Sequence, residues 1–152
     1  MLDSQPVDAV QEFNTMQVEL VRVDDAFHFE AVGKSGVTQH IDAATDIGGH
    51  NAGARPMEML LMGLAGCTAI DVILILQKQK QVIDDFRLKI DGMREKDATP
   101  APFKKIHITY LLTGQLNADK VKRAIDLSMD KYCSATAQFS SSAEITYSFE
   151  LA

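Results

Sequence analysis

Only two cysteines, no tryptophan and no run of lysine or arginine occur in these 152 residues. Two cysteines do not make the disulfide framework of a small secreted domain, and Cys67 and Cys133 lie too far apart in sequence for a zinc-site spacing. They remain candidates for a redox pair. With a net charge of −6 and no basic run, the electrostatic footprint of a nucleic-acid binder is missing, so a small or apolar partner is expected and no nucleic acid. Met1 to Glu12 carries acids and no basic segment leading into an apolar stretch, so no signal peptide is read. The expected compartment is the cytoplasm, where a disulfide is usually transient and catalytic. What is there is ordinary globular material: 46% of residues are hydrophobic and 24% charged, which excludes disorder and collagen. A chain of this length buries roughly 70% of its unfolded surface, enough for a core without disulfide or structural metal.

One segment has the length of a membrane span. Met57 to Leu76 reads MEMLLMGLAGCTAIDVILIL. Glu58, Thr68 and Asp71 interrupt it, and a carboxylate near the middle of a bilayer is costly, so no membrane partner is expected. The segment reads as a helix apolar on nearly every side, to be covered by sheets or by a partner chain. Before it, Met16 to Val23, Phe27 to Val32 and Thr38 to Ala43 form an antiparallel meander, with turn residues between them. A glycine-rich loop from Thr45 to Arg55 then leads to Pro56, suited to a first helical turn, and the helix stops near Lys78 and Lys80. The loop contains Gly48-Gly49-His50-Asn51-Ala52-Gly53 but has no phosphate-binding frame.

Beyond the helix, the alternation about Phe86 to Asp91 and Lys105 to Leu112 gives a hairpin joined through Asp97 to Pro102. Asn117 caps a second helix, with Val121, Ile125, Met129 and Tyr132 at helical spacing, that runs to Cys133. A last strand places Ile145, Tyr147, Phe149 and Leu151 on one face. The expected fold is α+β in the order βββ-α-ββ-α-β, a single domain over 1–152 with residues 1–14 a flexible extension.

A cysteine works as its thiolate, and an ordinary pKa of about 8.5 leaves little of it at neutral pH. Either cysteine read alone is equally an inert, buried, small hydrophobe. Cys67 lies too deep in its helix to profit from the macrodipole, and Leu60, Leu64 and Ile70 around it raise the cost of charge. A cation must come from elsewhere, with Arg22 and Arg55 as candidates. At about 100° per residue, Asp71 falls about 40° from Cys67 and one turn away, whereas Glu58 is about 180° around and more than two turns back. Asp71 is therefore the near carboxylate. The histidines at 28, 40, 50 and 107 fall on separate elements, with His28/Glu30 and His40/Asp42 the same-face pairs, and they give no metal site.

Pro56-Met57-Glu58-Met59-Leu60 through Gly66-Cys67-Thr68-Ala69-Ile70-Asp71 entering a buried helix, and Lys131-Tyr132-Cys133-Ser134 closing the next, resemble the OsmC/Ohr family of thiol-dependent hydroperoxide reductases. The wording is most like its YhfA-like branch. The resemblance covers nearly all of the chain after about Thr15. It implies an intertwined homodimer with central long helices, a hydroperoxide substrate, a dithiol reductant and no metal, haem or flavin. It also implies roles: Cys67 matches the cysteine that attacks peroxide and becomes a sulfenic acid, and Cys133 the one that resolves it as a disulfide.

The Ohr pattern has a glutamate directly after the proline, paired with an arginine from the turn after the first strand. Here Met57 takes that glutamate position, Glu58 follows one residue later, and the turn reads Val23-Asp24-Asp25-Ala26. That activating pair is not carried over. Two readings follow: a hydroperoxide reductase with a Cys67/Cys133 couple, or a non-enzymatic, redox-sensitive protein of the same fold that binds a small apolar ligand.

Overall fold

The computed structural model describes residues 12–152. The extension expected over residues 1–14 and the leader reading over Met1 to Glu12 lie outside the described residues up to residue 11. The chain divides into two compact units, the boundary falling between Pro56 and Met57.

In the first unit, β1 (Glu19–Arg22), β2 (Phe29–Val32) and β3 (Gln39–Ile41) form the expected antiparallel meander in the order β1-β2-β3. The strands are shorter than the alternation predicts, because hydropathy marks a potential strand whereas pairing ends where a partner ends: Glu19 sits opposite Val32, and Arg22 opposite Phe29. The β1–β2 turn is held by Asp24, whose Oδ1 accepts from the N–H of Ala26 (2.9 Å) and of His28 (3.2 Å). The Arg22 guanidinium donates to the carbonyls of Ala26 and Asp25, closing the same turn from the other side.

The glycine-rich loop is organised by a carboxylate. Asp42 is 1% exposed, and its oxygens accept from the N–H groups of Ala43 (2.7 Å), His50 (3.1 Å) and Ala52 (3.1 Å). This draws the loop back on β3 so closely that a Cβ on Gly49 would stand 1.9 Å from the Ala43 carbonyl oxygen, and one on Gly53 2.3 Å from the His40 carbonyl carbon. The glycines therefore serve close backbone approach.

In the second unit, α1 (Pro56–Lys78) lies on a sheet of β4 (Val82–Arg94), β5 (Phe103–Gln115) and β6 (Glu144–Leu151), in the order β4-β5-β6. The β4–β5 hairpin is antiparallel, with Ile90 opposite Ile108, and β6 runs parallel to β5, with Ile106 opposite Ile145. The parallel return needs a crossover, which α2 (Ala118–Leu127) supplies. Asn117 caps it as expected, accepting from the Lys120 N–H at 3.1 Å, and it buries Val121, Ala124 and Ile125.

Two features depart from the sequence reading. The helix expected to continue to Cys133 gives way after Leu127 to a π-helical turn, Ser128–Tyr132, and Cys133 is extended and opens a further short helix, α3 (Ser134–Phe139). The wider turn lets the Cys133 N–H reach back to the Ser128 carbonyl at 2.8 Å. The second departure concerns α1. It buries one stripe only, Leu64, Thr68, Val72 and Leu76, while Leu60, Met62, Ile70 and Leu74 are between 49% and 62% exposed. Hydropathy states what these side chains prefer and not what covers them within one chain. By length and composition α1 is long and apolar enough to cross a membrane.

Burial opposes the charge on Asp42, but the N–H groups of Ala52, Ala43 and His50 outweigh it, with the nearby His28 adding to them, and hold the carboxyl below its usual range. The stability this carboxylate contributes is therefore complete above the unfolded pKa of about 3.9 and is lost as pH falls through the lower folded value. Amide exchange at His50 and Ala52, relative to the free-peptide rate at the same pH, should stay slow at pH 7 and quicken only below about pH 4. Asp42→Ala should quicken it at pH 7; unchanged protection in that variant would show that the loop is held by something else.

Candidate functional site

The site is built where three elements of the second unit meet: the middle of α1, the π-helical turn and the start of α3. The Sγ atoms of Cys67 and Cys133 and a carboxylate oxygen of Asp71 all lie within 4.8 Å of one another. Cys67 and Asp71 share a stripe of α1 because four residues make slightly more than one turn. Cys133 reaches them because the π-helical turn ends the crossover helix beside α1 rather than letting it run on. Cys67 and Asp71 are half-buried, and Cys133 is 4% exposed.

A chain of buried hydroxyls anchors the carboxylate. Tyr110 Oη on β5 lies 2.7 Å from Thr68 Oγ1, Thr68 Oγ1 lies 2.8 Å from Ser128 Oγ, and Ser128 donates to Asp71 Oδ2 at 3.1 Å. Each hydroxyl has one proton. With Ser128 donating to Asp71, Thr68 must donate to Ser128 and Tyr110 to Thr68, so all three point toward the carboxylate and polarise one another. Burial pushes the Tyr110 hydroxyl up to about 12, the Thr68 hydrogen bond opposing it and Cys133 and Asp71 adding to it. Tyr110 thus stays a neutral donor at ordinary pH.

Cys133 is the N-cap of α3, and its Sγ accepts from the Thr136 N–H at 3.3 Å. Burial raises its thiol above the usual value; the Thr136 hydroxyl and N–H work against this, and neighbouring Cys67 adds to the rise. Along the stripe that carries Cys67, toward the start of α1, lies an apolar groove of about 580 Å³ bordered by Met59, Leu60, Gly63, Phe103 and Phe139. Toward the other end, Asp71 opens on a second groove with Leu74, Lys78 and Tyr132. Along α1, Cys67 falls one turn after Gly63 of the first groove and one turn before Asp71 of the second.

Of the residues singled out from sequence, Cys67, Cys133 and Asp71 come together. Glu58 is in the first turn of α1, about 14 Å along the axis from Cys67 at 1.5 Å per residue. Arg22 spends its guanidinium on the β1–β2 turn, and Arg55 directly precedes α1. The histidine pairs are not those expected: His28 Nε2 meets His40 Nδ1 at 2.8 Å across the strands, and His50 Nδ1 meets Asp24 Oδ2 at 3.2 Å. Same-strand spacing misses such contacts, since cross-strand neighbours are equally close. Ser128, Tyr110 and Thr136 were missed altogether. The available signal was Ser128, a polar residue at helical spacing from Val121 and Ile125 in the expected second helix.

Residues 49–148 match the family model for OsmC-like proteins, and the chain belongs to that family. It is 42% identical to Protein YhfA of Escherichia coli K12 over 97 residues, 63% of this chain and 72% of that protein. Among solved structures it resembles a hypothetical protein from Aquifex aeolicus, at 27% identity and TM-score 0.77, over 92% of this chain and 99% of the other. The same fold recurs in the organic hydroperoxide resistance protein OhrB of Bacillus subtilis, at 18% identity and TM-score 0.61, over 90% of this chain and 98% of the other.

The hydroxyl chain makes a definite energetic claim. Thr68→Val keeps the volume but strands the buried Tyr110 hydroxyl, and leaving such a donor unsatisfied costs about 1–3 kcal/mol. Denaturant unfolding of Thr68→Val should show a loss of that size. A variant as stable as the wild type would show that Tyr110 finds another acceptor.

Proposed function

We propose that this protein is a thiol-dependent hydroperoxide reductase whose redox couple is Cys67 and Cys133. The observation that supports it most is the convergence of the two sulfurs within 4.8 Å beside an apolar groove. The Cys67 thiolate attacks one peroxide oxygen, the O–O bond breaks, the alcohol leaves after taking a proton, and Cys67 becomes a sulfenic acid. Cys133 then attacks that sulfur, water leaves, and a disulfide forms; a dithiol reductant reopens it by exchange. The roles follow from environment. Cys133 is buried with its thiol pushed up, which makes it a poor first nucleophile but a well-placed second one. The groove favours an organic hydroperoxide, its alkyl part lying against Met59, Leu60 and Phe103. Arg22 and Arg55, of this chain or of a partner, are the proposed sources of the cation that favours the Cys67 thiolate, and the setting is a cytoplasm that supplies dithiols. Asp71 is the carboxylate beside the thiolate, while Glu58, about 14 Å along α1, stays outside that contact.

Stoichiometric cumene hydroperoxide should remove both free thiols of the reduced protein rapidly. Cys133→Ser should react once, leaving a trappable sulfenic acid on Cys67, and should not turn over with a dithiol, whereas Cys67→Ser should lose the first reaction. Oxidation of Cys133 at the wild-type rate in Cys67→Ser would overturn the assignment. Thiols that persist while an alkyl ligand binds would make the protein a binding module instead.

The exposed side of α1 leads us to propose a homodimer as well. Leu60, Met62, Ile70 and Leu74 form an apolar surface on the helix that carries the site, and a second chain covers it without placing Asp71 in hydrocarbon. Light scattering at micromolar concentration should give twice the chain mass, and Ile70→Glu should shift it toward the monomer. A wild-type monomer would overturn this.

A further inference from the structure

We infer that the reduced protein binds one thiophilic divalent cation, with zinc as the model, through Cys67 Sγ, Cys133 Sγ and Asp71. The inference uses the same dithiol as the hydroperoxide reading but does not require turnover.

Three ligand atoms of the right chemistry converge within 4.8 Å of one another. Zinc–sulfur bonds of about 2.3 Å and zinc–oxygen bonds of about 2.0–2.2 Å in a tetrahedron require sulfurs a little under 4 Å apart, so only a small contraction is needed. The supporting contacts are of the kind that ligands need. Ser128 donates to Asp71 Oδ2 at 3.1 Å, fixing the carboxylate through the hydroxyl chain from Tyr110, and the Thr136 N–H donates to Cys133 Sγ at 3.3 Å. Asp71 also opens on the groove with Lys78 and Tyr132, which gives an ion a way in and leaves a fourth position for water. Two thiols and a carboxylate so close repel one another once ionised, and a dication removes that repulsion.

Binding releases two thiol protons as two metal–sulfur bonds form. A hydroperoxide then converts the loaded site as follows: the two thiolates give up two electrons and join as a disulfide, the hydroperoxide takes those electrons and two protons to become alcohol and water, and the cation leaves unchanged. The site is thus a metal site when reduced and cannot be one when oxidised. Metal occupancy and the disulfide are mutually exclusive states of one pair of sulfurs.

The test titrates the full reduced chain with Co²⁺ and with Zn²⁺ against a chromophoric chelator. One cobalt per chain with sulfur-to-cobalt charge-transfer absorption, displaced by zinc, is expected; absence of that absorption overturns the inference. Asp71→Asn should weaken zinc binding at least about tenfold. Equal affinity in that variant overturns the three-ligand site. On the wild type, cumene hydroperoxide should release one zinc per disulfide formed, and the disulfide form should bind none. Zinc retained by the disulfide form counts against it. Loss of thiols to peroxide without any cobalt signal would remove the metal site and leave the reductase reading standing; a cobalt signal in a protein inert to peroxide would do the reverse.

Discussion

The Thr68 hydroxyl, placed in an otherwise apolar helix, is the contact on which the second unit depends. It sits at full burial with Tyr110 of β5 on one side and Ser128 of the π-helical turn on the other, so a single side chain fixes the register of three elements. An apolar residue of the same volume would pack equally well in several slightly shifted arrangements. A buried hydroxyl satisfied by two partners tolerates one. Because Cys67 is its chain neighbour, the same constraint sets where the half-buried sulfur faces.

The electrostatics of the site follow from what that network lacks. Its neutral hydroxyls end on a carboxylate, so the polar side of the dithiol is an acceptor rather than a source of positive charge. The guanidinium of the proposed reductase and the metal ion inferred above would have opposite effects on the sulfurs. An arginine leaves the thiolate free to attack, while a metal occupies it.

Much of this was legible in the sequence, for identifiable reasons. The meander, α1, the hairpin, the Asn117 cap and β6 follow from periodicity and capping, which are local properties. The closeness of Asp71 to Cys67 follows from helical geometry alone, and the place of Cys133 beside them came from the family resemblance. The π-helical turn was not legible: Met129 and Tyr132 keep an apolar spacing that reads as continuous helix, and the interruption answers to a tertiary contact, Ser128 with Thr68. That α1 needed cover from sheets or a partner chain was legible, but which side stays exposed in one chain was not, since a hydrophobic segment reads the same whichever chain covers it. The His28–His40 contact depends on strand pairing, which spacing along one strand does not report.

Cys133 caps α3 with sulfur where most helices use oxygen, and α3 in turn supplies Ala135, Gln138 and Phe139 to the wall of the apolar groove. A sulfur's ability to accept the Thr136 N–H falls as its electron density is drawn into a bond with another sulfur. On the proposed reductase reading, redox state would set the firmness of one wall: the helix is best anchored while Cys133 is a thiol, and would be slackest once its sulfur is bonded to Cys67. On the same reading, the groove that receives an alkyl group before the reaction is walled differently once the disulfide has formed, which favours loss of the alcohol before a dithiol resets the site.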